Sequence, residues 1–123
     1  MSIPEEINLS FCFNREEHLK GRNDIRKVFK KGRQIGCNGA KLFILKNELS
    51  YNRICFTLSK GFCNAPARNR AKRLSREAFR LMKNRIETGH DLILLIYLET
   101  KTKLSDRIKQ LEILCKRAGI LKI

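Results

Sequence analysis

The run Ala67-Arg68-Asn69-Arg70-Ala71-Lys72-Arg73-Leu74-Ser75-Arg76-Glu77-Ala78-Phe79-Arg80 decides how the chain is organised. Its residues, placed roughly 100° apart around an axis, read as an amphipathic helix. Ala71, Leu74, Ala78, Leu81 and Met82 fall in one sector, the expected buried stripe. Arg68, Lys72, Arg73, Arg76, Arg80 and Lys83 fall in the opposite sector. Glu77 is the only acid between Ala67 and Arg85, so most of these cations have no partner within the helix. Like charges on one face repel and cost stability, a cost that a bound polyanion removes. The plain alternative is a solvated basic face. The density of arginine argues against it, because a guanidinium presents a planar fork of donors that suits phosphate and guanine edges. The helix is therefore expected to bind nucleic acid.

Its start is also legible. Asn64 is placed to cap it, and Pro66 fits a first turn, where its missing N–H is no loss. Arg68 and Arg70 then lie close to the first turn, where positive charge opposes the helix dipole. A sequence shaped by stability alone favours acids there, so these arginines read as functional.

With 123 residues the chain is expected to form a single domain with one modest core. Twenty-seven cationic residues against 12 acids give a net charge of +15, which points to nucleic acid ahead of an anionic membrane surface. No apolar run approaches the ~18–20 residues that span a bilayer, and acids Glu5 and Glu6 stand where a signal peptide has cations. A cytoplasmic protein with no membrane partner is expected. The cysteines Cys12, Cys37, Cys55, Cys63 and Cys115 form no C-x-x-C pair, and with only His18 and His90 beside them no zinc spacing emerges. Reduced thiols, no bound metal and no disulfide-linked partner are the expectation, with Cys55 a small core residue.

Around the central helix, residues 1–20 sustain no period and read as an extended arm. Asn23 or Asp24 opens a short helix to Lys31, with Gly32 as its C′ residue and Ile25, Val28 and Phe29 on one face. Gln34-Ile35 is at most a very short strand between Gly32 and the breaks at Gly36 and Gly39. Residues 41–46 and 53–59 read as two strands joined as an antiparallel hairpin through the turn residues 47–52. The unbroken apolar run Asp91-Leu92-Ile93-Leu94-Leu95-Ile96-Tyr97-Leu98 suits a central strand buried on both faces. Ser105 is placed to cap a last helix over about residues 106–117, with Ile108, Leu111, Ile113, Leu114 and Cys115 on its apolar side and Gly119 ending it. The order α-β-β-(β)-α-β-α implies an α/β (α+β) two-layer sandwich with a small mixed sheet and the cationic helix face outward.

Arg68-Asn69-Arg70 with the residues around it resembles the R-N-R signature of the bacterial ribonuclease P protein family. Leu58-Ser59-Lys60 and Asn64-Ala65 stand where that family has a strand ending in Ser-Lys and a loop with Asn-Ala. Asp24-Ile25 and Val28-Phe29 match its first helix, and Asp91-Leu92-Ile93-Leu94-Leu95 its late strand. The resemblance extends from about Leu19 to Leu121. The chain departs from the pattern at Cys63, where the family has Gly, at Ile25, where it has Phe, and at Ile96-Tyr97, where it has Ala-Arg.

The resemblance implies a ribosomal-protein-like fold and a role as protein subunit of an endonuclease whose chemistry belongs to a catalytic RNA and its Mg²⁺. The implied partners are that RNA and the single-stranded 5′ leader of precursor tRNA. The RNA-binding residues expected on this basis are Lys60, Asn64, Arg68, Asn69, Arg70, Lys72, Arg73, Arg76 and Arg80. Ile25, Phe29, Phe43 and Lys30 are expected to line a leader cleft, with Phe29 and Phe43 as its aromatic platform, since single strands favour stacking rings among cations. Core packing is the competing role for both rings. A protein-only nuclease is disfavoured, because the acids are scattered and the two histidines stand at element edges. A ribosomal or general structured-RNA-binding protein is the alternative that charge and fold class alone leave open.

Overall fold

The apolar run forms strand β5 (His90–Ile96), and every residue from Asp91 to Ile96 is buried. The computed structural model describes residues 8–10 as backbone, 17, 19–59, 65–97 and 102–122. In it β5 is the middle strand of a five-stranded mixed sheet. The other strands are β1 (Asn8–Ser10), β2 (Arg33–Cys37), β3 (Ala40–Lys46) and β4 (Arg53–Leu58), in the order β1-β4-β5-β3-β2. β5 runs antiparallel to β3, with Leu42 opposite Leu94, and parallel to β4, with Ile54 beside Leu92. The expected hairpin between β3 and β4 is therefore corrected: they run in opposite directions, but β5 lies between them. A strand apolar on both faces gains most at the centre of a sheet with helices on either side.

The segment after β3 is held to the start of β5 by polar contacts. Asn47 donates its backbone N–H to the Gly89 carbonyl (2.9 Å) and its side chain to Asp91 Oδ1 (2.9 Å). Buried Asn52 accepts from His90 N–H (2.9 Å) and donates to the Glu87 carbonyl (3.0 Å). Arg53 forms a two-pronged pair with Asp91, at 2.8 and 2.6 Å. This charge pair is mostly buried, and its oxygens are met by donors, which is the condition under which burial of charge is tolerated.

β2 is longer than expected, and it forms a tight hairpin with β3 through Asn38-Gly39, where Gly39 has φ +89°. An Asn-Gly pair is the usual chemistry of a two-residue hairpin turn, and it was the available signal. In the N-terminal arm, Asn8–Ser10 pairs antiparallel with Phe56–Leu58 as an edge strand.

Strand alternation separates two apolar clusters. On one face Phe43, Cys55, Ile93 and Leu95 pack against Ile25, Val28 and Phe29 of α1 (Arg22–Lys31). On the other, Leu42, Ile44, Ile54, Phe56, Leu58, Leu92, Leu94 and Ile96 meet α2 (Ala65–Met82) and α3 (Leu104–Ala118). The α+β class with a mixed sheet holds, and α1 adds a partial layer on the second face.

Three local expectations change. α1 begins at Arg22, after Gly21, with no side-chain cap. Gly32 is extended (φ −73°) rather than left-handed, and it is required because a Cβ would stand 2.5 Å from the Val28 carbonyl oxygen and 2.8 Å from that of Ile44. α3 begins at Leu104 rather than being capped by Ser105, and the Asp106 carboxylate accepts the Lys103 N–H at 2.9 Å. Ile113 is exposed, and Arg107 is buried. Arg107 donates to Gln110 Oε1 (2.7 Å), and Gln110 donates to the Asn38 carbonyl (3.0 Å), tying α3 to the β2–β3 turn. Burial pushes the Arg107 pKa down to about 10, so it stays charged at neutral pH. Gly119 ends α3 in the left-handed conformation, φ 78°, as expected.

Phe29 is 1% exposed and meets Phe43 edge to face, ring centroids 4.7 Å apart. Phe29→Ala is expected to remove about 3–5 kcal/mol of folding stability, the usual cost of truncating a buried Phe. Denaturant unfolding checks this, and an unchanged midpoint would show that the ring is not part of the core.

Candidate nucleic-acid interface

α2 buries Ala71, Ser75, Ala78, Phe79 and Met82. The buried stripe is thus rotated from the expected one. Phe79 replaces Leu81, which is 50% exposed, and Leu74 is only half-buried. A phenyl ring hides more apolar surface than a leucine, and the small residues Ala71, Ser75 and Ala78 let the helix lie close to the sheet. The Ser75 hydroxyl is satisfied by donating to the Ala71 carbonyl at 2.8 Å.

The rotation sorts the cations. Asn69, Arg70, Arg73, Arg76 and Arg80 are exposed along the outer face, while Arg68, Lys72 and Lys83 are half-buried on one flank. Arg80 pairs with Glu77, with Nε 3.1 Å from Oε2, and this partner holds the Glu77 carboxyl below its usual range. Lys83 pairs with Glu17 at 3.2 Å. Arg70 reaches across to donate to the Thr102 carbonyl at 2.7 Å, so it fastens α2 to the segment entering α3 while remaining exposed. Arg73 and Arg76 have no acidic partner among the described residues. The first turn of α2 carries no acid. Between α2 and α3 lies a groove of about 470 Å³, lined by Pro66, Asn69, Arg70, Arg73, Leu74, Glu77 and Leu104. Lys60 and Asn64 fall outside the described residues.

The expected leader cleft needs correction. Ile25, Phe29 and Phe43 are all buried, Phe43 with 4% exposed. A base stacks on a ring with an open face, and these rings present none, because α1 seats them in the core against Cys55 and Ile93. Lys30, the fourth residue, is exposed on the outer side of α1.

Five of the described acids sit in ion pairs: Asp91 and Asp24 with Arg53, Glu17 with Lys83, Glu77 with Arg80, Glu112 with Arg85. His90 opens β5, its Nδ1 3.3 Å from the Glu87 carbonyl. Among the described residues no three His, Cys, Asp or Glu side chains converge as metal ligands do. Cys37, Cys55 and Cys115 are free thiols, and burial pushes Cys115 up to about 12, which keeps it protonated and inert at neutral pH.

Residues 13–119 match the family described as Ribonuclease P. The chain belongs to the ribonuclease P protein family. It is 36% identical over 110 residues to the ribonuclease P protein component of Clostridioides difficile, covering 88% of this chain and 96% of that one. It is 30% identical over 111 residues to the Thermotoga maritima component, covering 90% of this chain and 92% of that one. The fold agrees. The solved RNase P protein of Staphylococcus aureus superposes with TM-score 0.76 at 26% identity, covering 86% of this chain and 98% of that one. The Thermotoga maritima RNase P protein superposes with TM-score 0.73 at 27% identity, covering 82% and 96%.

As a ribonuclease P protein, the chain is one part of an endoribonuclease holoenzyme acting in tRNA 5′ processing, with catalysis by the RNA. Membership decides against both the protein-only nuclease and the general RNA-binding protein. Two features of the interface were missed in the sequence: Phe79 as the residue that sets the helix rotation, and Arg70 as a fastening residue. The first was open to a comparison of side-chain bulk across adjacent wheel positions. The second depends on a chain segment distant in sequence and had no local signal.

Arg73→Glu combined with Arg76→Glu is expected to weaken RNA binding while leaving the melting temperature unchanged, since both side chains are exposed. Every phosphate that thereby goes without its cation should reduce the slope of log affinity against log salt by about 0.7–0.9. Unchanged affinity and slope would show that this face meets only solvent.

Proposed function

We propose that the chain binds the catalytic RNA of ribonuclease P through the cationic face of α2, and that it holds the 5′ leader of precursor tRNA on the α1 face of the sheet. The observation that carries the reading is the exposed row Arg73, Arg76 and Arg80, flanked by Arg68, Asn69, Arg70 and Lys72, on a helix whose first turn holds no acid. Lys60 and Asn64 immediately precede this helix and belong to the same reading. A helix docked by its apolar stripe cannot turn these cations away from solvent, and a polyanion relieves their repulsion.

In this reading Mg²⁺ is held by the RNA and supplies the hydrolytic chemistry there. Asp91, Glu77 and Glu17 are engaged with arginines and a lysine, which suits a protein that lends positive charge rather than metal ligands. Its contribution is to lower the repulsion between two RNAs brought together, and to favour precursor over product through the leader, the feature that mature tRNA lacks. The setting is the cytoplasm, and the chain acts as a single RNA-binding domain. No described helix is long and apolar enough to cross a membrane.

Reconstitution tests the reading. The protein mixed with a ribonuclease P RNA and precursor tRNA at low Mg²⁺ should stimulate release of the 5′ leader, and the protein alone should release none. Equal rates with and without the protein across a Mg²⁺ titration would sink it.

A further inference from the structure

Among the described residues, the α1 face of the sheet is covered at one end and open at the other. α1 packs on Phe43, Cys55, Ile93 and Leu95. Beyond Leu95 the ladder continues: Tyr97 N–H donates to the Gly39 carbonyl at 3.1 Å, and Ser59 N–H donates to the Ile96 carbonyl at 2.9 Å. Alternation places Tyr97 on the same face as Ile93 and Leu95. Unlike them it is 39% exposed.

Its surroundings are polar and open. Lys41 is paired with Leu95 across the β3–β5 ladder, so it stands diagonally to Tyr97 on the same face. The Lys41 ammonium lies 6.0 Å from the Phe43 ring centroid. Gly36, paired with Lys41 on β2, shares this face, and a Cβ there would meet no atom within 4 Å. Ser59 flanks Tyr97 on the β4 side, where the chain leaves towards α2. A few residues after Tyr97, the Thr102 carbonyl is held by Arg70 of the R-N-R segment.

Among the described aromatic residues only Tyr51 and Tyr97 are exposed, and Tyr51 lies in the β3–β4 connection at the other end of the sheet. Phe29 and Phe43 offer no open ring. An accessible ring whose diagonal neighbour is a lysine, on a sheet face left uncovered by the described residues, is an arrangement that suits an unstacked base and its phosphate. Duplex RNA keeps its bases stacked and paired, so a single strand is the matching ligand.

We propose that Tyr97 stacks on a base of the single-stranded 5′ leader and that Lys41 takes the adjoining phosphate. The proposal rests on the leader reading above. It makes Tyr97, a departure from the family's Ala-Arg, the ring that does the work first expected of Phe29 and Phe43.

The test uses the reconstituted holoenzyme with precursor tRNA carrying a leader of several nucleotides, and with mature tRNA. Tyr97→Ala should weaken binding of the precursor about tenfold, within the range for loss of one stacked base. Tyr97→Phe, which keeps the ring, should restore most of it. Mature tRNA, the catalytic RNA and the melting temperature should respond to neither substitution. If wild type prefers precursor and Tyr97→Ala keeps that preference in full, Tyr97 is not the stacking residue while the leader reading stands. If wild type itself does not prefer precursor over mature tRNA, the leader reading fails and this proposal with it. If Tyr97→Ala weakens every RNA equally, or lowers the melting temperature, the ring serves the fold and the proposal is overturned.

Discussion

Everything in this molecule depends on β5 lying between β3 and β4. Its residues from Leu92 to Ile96 are apolar on both sides, so each face of the strand must be covered by something. Its pairing with β4 is parallel. A parallel neighbour cannot be reached through a tight turn, so the chain has to leave the sheet after β4, cross one face and return. α2 is that crossing. The helix that carries the R-N-R segment therefore lies between β4 and β5 in the chain and returns it towards the start of β5. The position of the cationic face follows from the need to bury a strand.

The two faces of β5 then receive different treatment. Leu92, Leu94 and Ile96 are covered by α2 and α3 together, whereas Ile93 and Leu95 are covered by α1. α2 approaches through small residues with one large ring, Phe79, and this close seating leaves the outer half of the helix with no packing role. Arginine is tolerated there because no packing against the sheet constrains it. α1 is short, its last residue is Lys31, and its side chains reach no further along β5 than Leu95. The sheet extends past it. Incomplete cover on one face and a spare helix face on the other are thus two results of the same layering.

Much of this was legible beforehand, and the exceptions have physical reasons. Periodicity identified α1, α2 and α3, and the double-sided apolar run identified β5 as central. The pairing of β3 with β4 was misjudged because alternation reports which face a residue occupies and is silent about which strand lies beside it. The turn residues 47–52 fit a hairpin equally well, and only the side chains of Asn47 and Asn52, which reach β5 and its preceding loop, distinguish a crossing from a turn. On α2, Leu81 and Phe79 stand either side of the buried stripe, and bulk decided between them. The rings of Phe29 and Phe43 carried both an apolar and a stacking reading in the sequence. Burial separates these readings, and burial is a property of the assembled layers. Tyr97 was seen only as a departure from a pattern, because its exposure depends on which part of the sheet α1 covers.

The acids complete the picture. A net charge of +15 leaves few carboxylates to place, and several of those described sit at structural joints. Asp91 meets Arg53 at the start of β5, Glu17 meets Lys83 beyond the end of α2, Glu112 meets Arg85, and Asp106 caps α3. Each of these fastens an element without lying on the outer face of α2. Glu77 does lie on the helix, but it is engaged with Arg80 near the C-terminal end and leaves the first turns uncompensated. Carboxylates scattered evenly would have screened the cationic face over a Debye length of ~8–10 Å and weakened its pull on a polyanion. Keeping them at the joints lets one short chain satisfy its internal charges while leaving its strongest field where the crossing helix begins.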